Sequence, residues 1–392
     1  MTRAPSRLPD TAAGRSPSPA TKDACAQAAA VLACLPSMTP ARLRAIFDRW
    51  PDPLDALHAV ATGKARRALE AANLARLGDE RAELSRRWKA GASDPAAVLR
   101  LLDERGTHVW WAGHAAYPID EPLPDRPAVL LAEGACPGVL GRPSVAIVGT
   151  RAATPHGLAD ARMLGAYLAG NGVTVVSGLA IGIDGAAHQG ALDGGGGVVA
   201  VVATGLDVVY PRRHLALDAR VRAAGLVVSE TGFGVGPEAG RFPVRNRIIA
   251  ALADVVVVVE ATSRGGARIT ADRANDYGRP VLAIPGSRRN ASATGCNELI
   301  ADGAYPLLDP GDVMLALGLG TADAAGWSDL TATAREPDPR ARSVLDACGG
   351  EPATLDELSE RSGLTPTDVA GALRGLERDG LLRRSAGRYW PA

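Results

Sequence analysis

From residue 144 to residue 308, short apolar runs alternate with longer amphipathic segments, and this is the most regular pattern in the chain. Strands that are apolar throughout and separated by helices indicate a parallel sheet covered on both faces. The pattern therefore predicts an α/β fold with a Rossmann-like core. The predicted strands are Ser144–Gly149, Val173–Ser177, Val198–Thr204, Leu226–Ser229, Asp254–Glu260, Pro280–Pro285 and Ala304–Leu308. Predicted helices between them include Gly157–Gly170, Pro211–Ala224 and Ile269–Tyr277.

The segment before this core has a different pattern, in which short helical stretches are separated by prolines and glycines. A longer charged helix is predicted near Ala65–Ala90, a strand at Trp110-Trp111, and a proline-rich connector at Glu121–Pro127. This spacing indicates a small helical domain of the SAM-like type, and the tail before it, rich in Pro, Ser, Ala and Thr, is expected to be disordered. The shorter predicted helices are Ala26–Leu35, Thr39–Trp50 and Pro53–Val60.

The last segment predicts three helices followed by a β-hairpin, which is the pattern of a winged helix. Its elements are Ala341–Ala347, Leu355–Ser362, Thr367–Arg378, Leu381–Arg384 and Ala386–Trp390. We therefore divide the chain into a disordered tail (1–22), a SAM-like helical domain with its connector (23–118), a Rossmann-like domain (119–318), a linker (319–337) and a winged-helix domain (338–392).

The composition limits the kinds of ligand and cofactor that we expect the chain to bind. The formal net charge of zero argues against indiscriminate polyanion binding and leaves room for a local basic patch. No apolar run has membrane-spanning length and no signal-peptide core is evident, so we expect a cytoplasmic protein without membrane insertion. Five scattered cysteines indicate reduced thiols rather than disulfides or a zinc site, and we predict no metal and no cofactor. Lysine occurs only at Lys22, Lys64 and Lys89, so guanidinium groups and backbone amides must hold any phosphate in the core.

Several turns after the predicted strands carry chemistry suited to phosphate, and such turns line one crevice in a parallel sheet. Gly149-Thr150-Arg151 precedes a helix that Thr154 can cap, so a guanidinium lies beside a helix N-terminus. Ser177-Gly178 begins a second turn, Gly265-Gly266 stands in a third, and Pro285-Gly286 adds a fourth. We expect their amides and hydroxyls to face the same ligand.

The segment Arg241-Phe242-Pro243-Val244-Arg245-Asn246-Arg247 is the least ambiguous sign of an anionic ligand. Between residues 241 and 289 there are nine arginines and four acidic residues. An aromatic ring flanked by guanidinium groups suits base stacking beside a phosphate track, which is the role predicted for Phe242. Arg273 and Arg279 fit a solvated surface with paired charges instead.

Taken together and in this order, these motifs resemble the bacterial DNA-processing protein A family (DprA, also called Smf). The resemblance also rests on Ser177–His188, Gly205 to Tyr210-Pro211, Ser229-Glu230-Thr231, Phe242–Ala250, Gly265–Ala271 and Asn297–Ala304.

This resemblance implies a non-enzymatic Rossmann-like protein that binds single-stranded DNA, forms a homodimer and helps load RecA recombinase during natural transformation. By motif it assigns Thr150 and Arg151 to phosphate, Phe242 to stacking, and Arg245-Asn246-Arg247 to the DNA track. Two positions depart from the family pattern. Thr150 stands where serine is common, and Arg241 stands where a lysine is usual.

Two other functions stay open from the residues alone. Asp184 and His188 share a helix face, but a packing histidine is commoner than an acid–base pair, and we predict no catalytic residue. A phosphoribohydrolase-type enzyme would need an acid after its glycine-rich loop, where this chain has Pro285-Gly286-Ser287-Arg288-Arg289. A transcriptional regulator would use the winged helix to bind DNA. That segment contains eight arginines and nine acidic residues, so its near-neutral charge fits contacts with a protein as well as contacts with DNA.

Overall fold

The structure, a computed structural model, describes residues 19–65, 80–119, 123–320, 338–348, 352–378, 381–385 and 387–391. The chain divides into two compact units. The first contains the chain up to Glu133 together with 203–208 and 228–237, and the second contains 134–202, 209–227 and the chain from Glu238 onwards. Most of the predicted tail and most of the predicted linker lie outside the described residues.

Helices make up most of the first unit. They are α1 (Pro19–Ala33), α2 (Pro40–Arg49), α3 (Pro53–Ala61), α4 (Glu80–Ser93) and α5 (Ala96–Arg105), followed by the antiparallel strands β1 (His108–Trp111) and β2 (Val129–Glu133). Helix α1 begins before the predicted Ala26, because proline is tolerated at the first position of a helix. Of the helix predicted near Ala65–Ala90, residues 66–79 lie outside the described part of the chain, and α4 continues to Ser93.

The sequence pattern does not predict two elements of this unit, α5 and β2. Strand β2 is completely buried although it ends in Glu133. Arg105 at the end of α5 forms an ion pair with that carboxylate, with 2.7 Å between Nε and Oε1, and also donates to the carbonyl of Leu206 at 3.0 Å. The buried charge is therefore paired by a residue that lies far from it in sequence, which local patterns do not reveal.

The predicted α/β core is present, and its seven predicted strands are confirmed among the described residues. The strands are β3 (Ser144–Val148), β4 (Thr174–Ser177), β5 (Val198–Val201), β6 (Leu226–Ser229), β7 (Val255–Val258), β8 (Val281–Ala283) and β9 (Tyr305–Pro306). The helices are α6 (Pro155–Gly170), α7 (Ile183–Asp193), α8 (Leu215–Ala224), α9 (Arg241–Ala251), α10 (Gly266–Asp276), α11 (Thr294–Ala301) and α12 (Pro310–Ala316).

Parallel pairing in the second unit places its strands in the order β5, β4, β3, β7, β8, β9. The chain builds outward from β3 in one direction and from β7 in the other, so the order reverses between these two strands. In open α/β sheets, ligands bind at such a switch point, outside the carboxyl ends of the strands. The loops after β3 and β7 are therefore the first place to look for a site.

Two parts of the core differ from the sequence prediction. The segment Arg241–Arg247, expected to be an exposed turn, forms the first two turns of α9, because Pro243 lies in the first turn, where its missing N–H costs no hydrogen bond. The strand predicted at Ala304–Leu308 is reduced to Tyr305–Pro306, because Asp309 starts α12 with a capping box.

The winged helix is confirmed at the end of the chain. It consists of α13 (Pro339–Cys348), α14 (Leu355–Ser362), α15 (Pro366–Arg378) and the hairpin of β10 (Leu382–Ser385) with β11 (Arg388–Pro391). Its helices enclose a small apolar core around Val344, Leu358 and Val369.

Candidate nucleic-acid interface

The buried residue Glu260, which follows β7, connects the end of that strand to the loop after β3 through hydrogen bonds. Its backbone carbonyl accepts from the amide of Thr150 at 2.8 Å. Its two carboxylate oxygens accept from the amide and the hydroxyl of Thr154, at 2.8 and 2.6 Å. Thr154 in turn caps α6 by accepting from the amide of Gly157 at 3.1 Å. The backbone amides of Thr150, Thr154 and Gly157 are therefore committed to internal contacts. The Thr150 hydroxyl accepts from the amide of Ala152 at 3.2 Å, and the phosphate role of Thr150 and Arg151 stays a prediction that rests on this hydroxyl and on the Arg151 side chain.

Arg151 is exposed and lies over an aromatic ring. Its guanidinium carbon is 4.9 Å from the centre of the Phe242 ring, which is half-buried at the start of α9. The Tyr210 ring meets the Phe242 ring at 5.6 Å between centres, tilted by 43°, and Tyr210 is 40% exposed. The structure thus brings the two strongest predicted residues, Arg151 and Phe242, into direct contact and adds Tyr210, which the predicted site does not include. An aromatic residue in the segment between β5 and α8, directly before two arginines, is the signal that could have identified it.

The loop after β4 has an internal role. Ser177 is completely buried and donates its hydroxyl to the carbonyl of Ile147 at 2.6 Å. The amides of Gly178 and Ala180 donate to Asp184 Oδ2 at 3.1 and 3.4 Å. The sequence prediction that Ser177 and Gly178 offer donors to a ligand is therefore corrected, because buried protein groups take those hydrogen bonds.

Glycine is required at two positions of this loop. A Cβ at Gly178 would lie 2.6 Å from Arg245 Nη2 and from Asp184 Oδ2. Gly182 adopts φ +88°, a left-handed conformation that favours glycine, and packs against the carbonyls of Thr150 and Arg151. The loop after β4 thus supports the loop that carries Arg151, and Gly149 has a similar packing role against Ile183.

Two of the predicted track residues, Arg245 and Arg247, are each only 5% exposed. Arg245 Nη1 donates to the carbonyl of Gly178 at 2.7 Å and to the carbonyl of Val201. Burial lowers the pKa of Arg245 to about 10, so it keeps its charge at neutral pH. The expectation that these arginines line an exposed DNA track is corrected, because both side chains are buried.

Asn246 and the start of α10 remain at the surface. Asn246 Nδ2 donates to the carbonyl of Gly266 at 3.1 Å, which fixes α9 against α10. Helix α10 begins without a side-chain cap, and Gly266 is exposed. The Gly265 amide is already bonded to the carbonyl of Thr262 at 3.2 Å, so the ligand contact predicted for Gly265 and Gly266 stays a prediction, and it concerns the exposed Gly266 first.

The remaining arginines separate into paired and unpaired groups. Arg241 pairs with Glu238 at 2.9 Å, and Arg268 pairs with Glu298 and Asp302 at 2.6 and 2.7 Å. The predicted paired surface is confirmed for Arg273 and Arg279, which contact Asp276 and Asp254. Within the described ranges, six exposed arginines in the segments that lead from β3, β5, β7 and β8 to the next α-helix have neither a hydrogen bond nor an ion pair through their side chains: Arg151, Arg212, Arg213, Arg264, Arg288 and Arg289.

These six unpaired arginines, which we call the arginine edge, follow four strands at the same end of the sheet. Arg212 and Arg213 come after β5, Arg151 after β3, Arg264 after β7, and Arg288-Arg289 after β8. Since neighbouring strands are about 4.8 Å apart, the four steps from β5 to β8 span roughly 19 Å. The arginine edge thus comes from segments that follow strands spread over this width, and the Phe242 ring lies next to one of its members, Arg151.

The predicted alternative of an acid–base pair does not fit the environment of His188. This residue is completely buried, and burial, followed by the electrostatic effect of the nearby His214 and Arg245 side chains, lowers its pKa to about 3. Burial raises the pKa of Asp184, although the charge of Arg245 opposes that shift. His188 is therefore neutral and closed to solvent, as a packing residue is.

Acid should destabilise the fold through His188. Below its ordinary pKa of 6.5 the unfolded chain takes up a proton that the folded chain excludes, so the contribution of this residue to stability falls as pH drops from 6.5 towards 3. The loss reaches about 1.4 kcal/mol per pH unit. Urea unfolding at about pH 7 and about pH 5 should show a smaller pH effect for His188→Gln than for the wild type. Equal pH effects would contradict this assignment.

The described residues meet neither the requirements of a metal site nor those of a membrane-spanning helix. Among the described residues, no group of three or more His, Cys, Asp or Glu side chains is arranged to hold a metal ion. None of the helices in those same ranges combines the length and apolar character needed to cross a membrane.

Comparison with known proteins finds relatives of both the region that contains the sheet and the winged helix. The family model described as DNA recombination-mediator protein A matches residues 108–318, and the DprA winged helix domain matches residues 328–388. Protein Smf of Synechocystis sp. is 38% identical over 277 residues, which cover 63% of this chain and 70% of that protein. The DNA processing protein DprA of Streptococcus pneumoniae is 43% identical over 199 residues, covering 50% of this chain and 70% of that protein. The X-ray structure of DNA processing protein A from Streptococcus pneumoniae aligns with a TM-score of 0.61 at 31% identity, covering 74% of this chain and 95% of that one.

Proposed function

The chain belongs to the DNA recombination-mediator protein A family, and from that membership we propose that it binds single-stranded DNA, protects it and helps load RecA recombinase onto it. A role in DNA processing and recombination follows from the family itself. The choice of single strands, the RecA partner, the homodimer and the cytoplasmic location are the parts that need testing. The domain boundaries given above also remain a proposal.

The observation that carries the proposal is the arginine edge beside the Phe242 ring. Proteins that bind single strands combine a cationic groove along the backbone with rings on which bases stack. Here the unpaired guanidinium groups follow four strands of one sheet, and the Arg151 guanidinium lies 4.9 Å from the Phe242 ring centre. A row about 19 Å long suits a flexible polyanion better than a single small phosphate ester.

The residues of the arginine edge are better suited to binding a polyanion than to catalysis. The Pro285-Gly286 turn is held by Asn297, which accepts from the Gly286 amide at 3.2 Å and donates to its carbonyl at 2.9 Å. The residues that follow are Ser287, Arg288 and Arg289, so exposed cations stand where a phosphoribohydrolase loop would need an acid. We therefore propose a binding protein rather than an enzyme.

A salt series with the full-length protein tests the proposal. Each phosphate contact on a single strand contributes about −0.7 to the slope of log affinity against log salt concentration, so contacts from the six arginines predict a slope of about −4. Fluorescence anisotropy with a labelled oligothymidylate would measure it, with a duplex of equal length as the comparison. A slope near zero would contradict the arginine edge, and equal or tighter duplex binding would favour the winged helix as a regulator.

The RecA proposal needs its own experiment. The full-length protein should accelerate RecA filament formation on single strands already covered by a single-strand-binding protein, measured as DNA-dependent ATP hydrolysis. The Arg151→Ala variant should lose that acceleration in proportion to its loss of DNA affinity. An unchanged rate with the wild type would remove RecA loading from the proposal and leave DNA binding in place.

A further inference from the structure

We infer that the loop after β5 forms a second nucleotide-binding position, in which a base stacks on Tyr210 and the adjoining phosphates contact Arg212 and Arg213. The inference rests on the proposed function, because it concerns the path of the same single strand. It adds a stacking residue and two phosphate contacts on an element outside the Arg241–Arg247 segment.

The first observation concerns the aromatic pair. The ring of Phe242 is half-buried, has the Arg151 guanidinium over it at 4.9 Å and has the Tyr210 ring against it at 5.6 Å. Tyr210 is 40% exposed. More free aromatic surface is therefore available on Tyr210 than on Phe242, and Phe242 supports the Tyr210 ring from the protein side. A base that approaches this edge can stack on Tyr210 without displacing Arg151.

The second observation concerns charge. Arg212 and Arg213 follow Tyr210-Pro211 on a short 3₁₀ turn, and both are exposed. No side-chain hydrogen bond or ion pair to either arginine occurs in the part of the chain that the structure describes. By contrast, Arg220 and Arg222 on the next helix are paired with Asp193 and Asp218, at 3.0 and 2.6 Å. Two adjacent cations without an acid beside them are available to phosphates.

The third observation is that this loop is held in place. His214 Nδ1 lies 3.0 Å from the carbonyl oxygen of Leu179, which ties the turn to the loop after β4. A Cβ at Gly185 would lie only 2.8 Å from His214 Cε1, so α7 packs closely under the turn. Tyr210 and its two arginines are therefore presented by a supported loop.

The spacing suits one continuous strand. Strands β5 and β3 are separated by β4 alone, so the loops that carry Tyr210 and Arg151 start about 10 Å apart. A short run of nucleotides along the arginine edge bridges this distance. The strand would cross the sheet from the loop after β8 to the loop after β5, with the aromatic pair towards the β5 end.

Full-length variants test the inference against oligothymidylates. Tyr210→Ala should weaken binding by about 5- to 100-fold, the range expected for the loss of one base–ring stack, and Tyr210→Phe should bind as the wild type does. The double variant Arg212→Ala with Arg213→Ala should reduce the magnitude of the salt slope by about 1.4. Arg220→Ala, on the α-helix that follows this turn but paired with Asp193, is the matched control and should change neither quantity. An oligonucleotide carrying 5-iodouracil should photocrosslink to Tyr210 in the wild type.

The outcomes separate this inference from the proposed function. If Arg151→Ala weakens binding while the Tyr210→Ala and double-arginine variants bind normally, the second position is overturned and single-strand binding stands. If Tyr210→Phe loses as much affinity as Tyr210→Ala, the phenolic hydroxyl rather than the ring face carries the effect, and stacking is contradicted. If the wild type does not bind single strands, both proposals fall. Should Tyr210→Ala unfold, the Tyr210→Phe measurement and the crosslink still decide the question.

Discussion

Replacing Arg151 by alanine should weaken single-stranded DNA binding by about 10- to 100-fold, while the unfolding temperature stays within error of the wild type. The side chain is exposed, and the Phe242 ring is its contact partner at 4.9 Å. A charge-assisted hydrogen bond contributes about 1.5–3 kcal/mol, which corresponds to the stated loss of affinity. No buried group loses a partner when this guanidinium is removed, so stability should be unaffected. Anisotropy titration and thermal unfolding on the same preparation measure both quantities.

The matched control for Arg151 is Arg273→Ala. Arg273 lies on α10 of the same unit and is paired with Asp276 at 3.1 Å, so its removal should leave DNA affinity almost unchanged. If the two variants lose affinity equally, binding depends on overall charge rather than on the arginine edge. If Arg151→Ala binds single-stranded DNA with normal affinity, Arg151 is not part of the binding site.

Replacing Arg245 by methionine should destabilise the fold by about 3–5 kcal/mol, the usual cost of removing one member of a buried charged pair. The guanidinium donates to the carbonyls of Gly178 and Val201, and its charge offsets part of the burial that raises the pKa of Asp184. Its loss leaves two buried carbonyls without that donor and a buried carboxyl without its nearby positive charge. Chemical unfolding in urea measures the difference in free energy of unfolding.

Two further variants make this stability prediction specific. Arg241→Ala removes a half-exposed arginine from the same helix, where the surface pair with Glu238 contributes about 0–1 kcal/mol, and should change stability little. Adding Asp184→Asn to Arg245→Met should recover part of the loss, because the buried negative charge is then gone. If Arg245→Met folds with normal stability and loses DNA binding, the original assignment of Arg245 to the DNA track is restored.

The contrast between Arg151 and Arg245 shows what the sequence can and cannot predict. Runs such as Val255–Val258 identify buried parallel strands because nothing polar interrupts them. The turns that follow them are then placed at one end of the sheet, which is why Arg151 and Phe242 are both predicted and found in contact. Whether an arginine points outward depends on acceptors elsewhere in the chain. For Arg245 these are the carbonyls of Gly178 and Val201, and no local pattern reveals them.

The segment with Tyr210, Arg212 and Arg213 shows that local sequence patterns can also miss residues near the proposed site. Its arginines lie outside the stretch in which positive charge exceeds negative charge most clearly, so counting along the chain passes over them. We infer that they belong to the site because the strand order brings the loop after β5 within two strands of the loop after β3. By contrast, at least four of the nine arginines between residues 241 and 289 are paired with acids, among them Asp254, Asp276 and Glu298.

The carboxylate of Glu260 has a thermodynamic consequence for ligand capture. It accepts hydrogen bonds from the amide and the hydroxyl of Thr154, while the backbone carbonyl of Glu260 accepts from the amide of Thr150, so the two sides of the switch point are already aligned before any ligand arrives. A binding site that is already ordered loses little conformational entropy when the ligand binds. Calorimetry should therefore find a modest heat-capacity change on association, and Glu260→Gln should slow capture by letting the two loops drift apart.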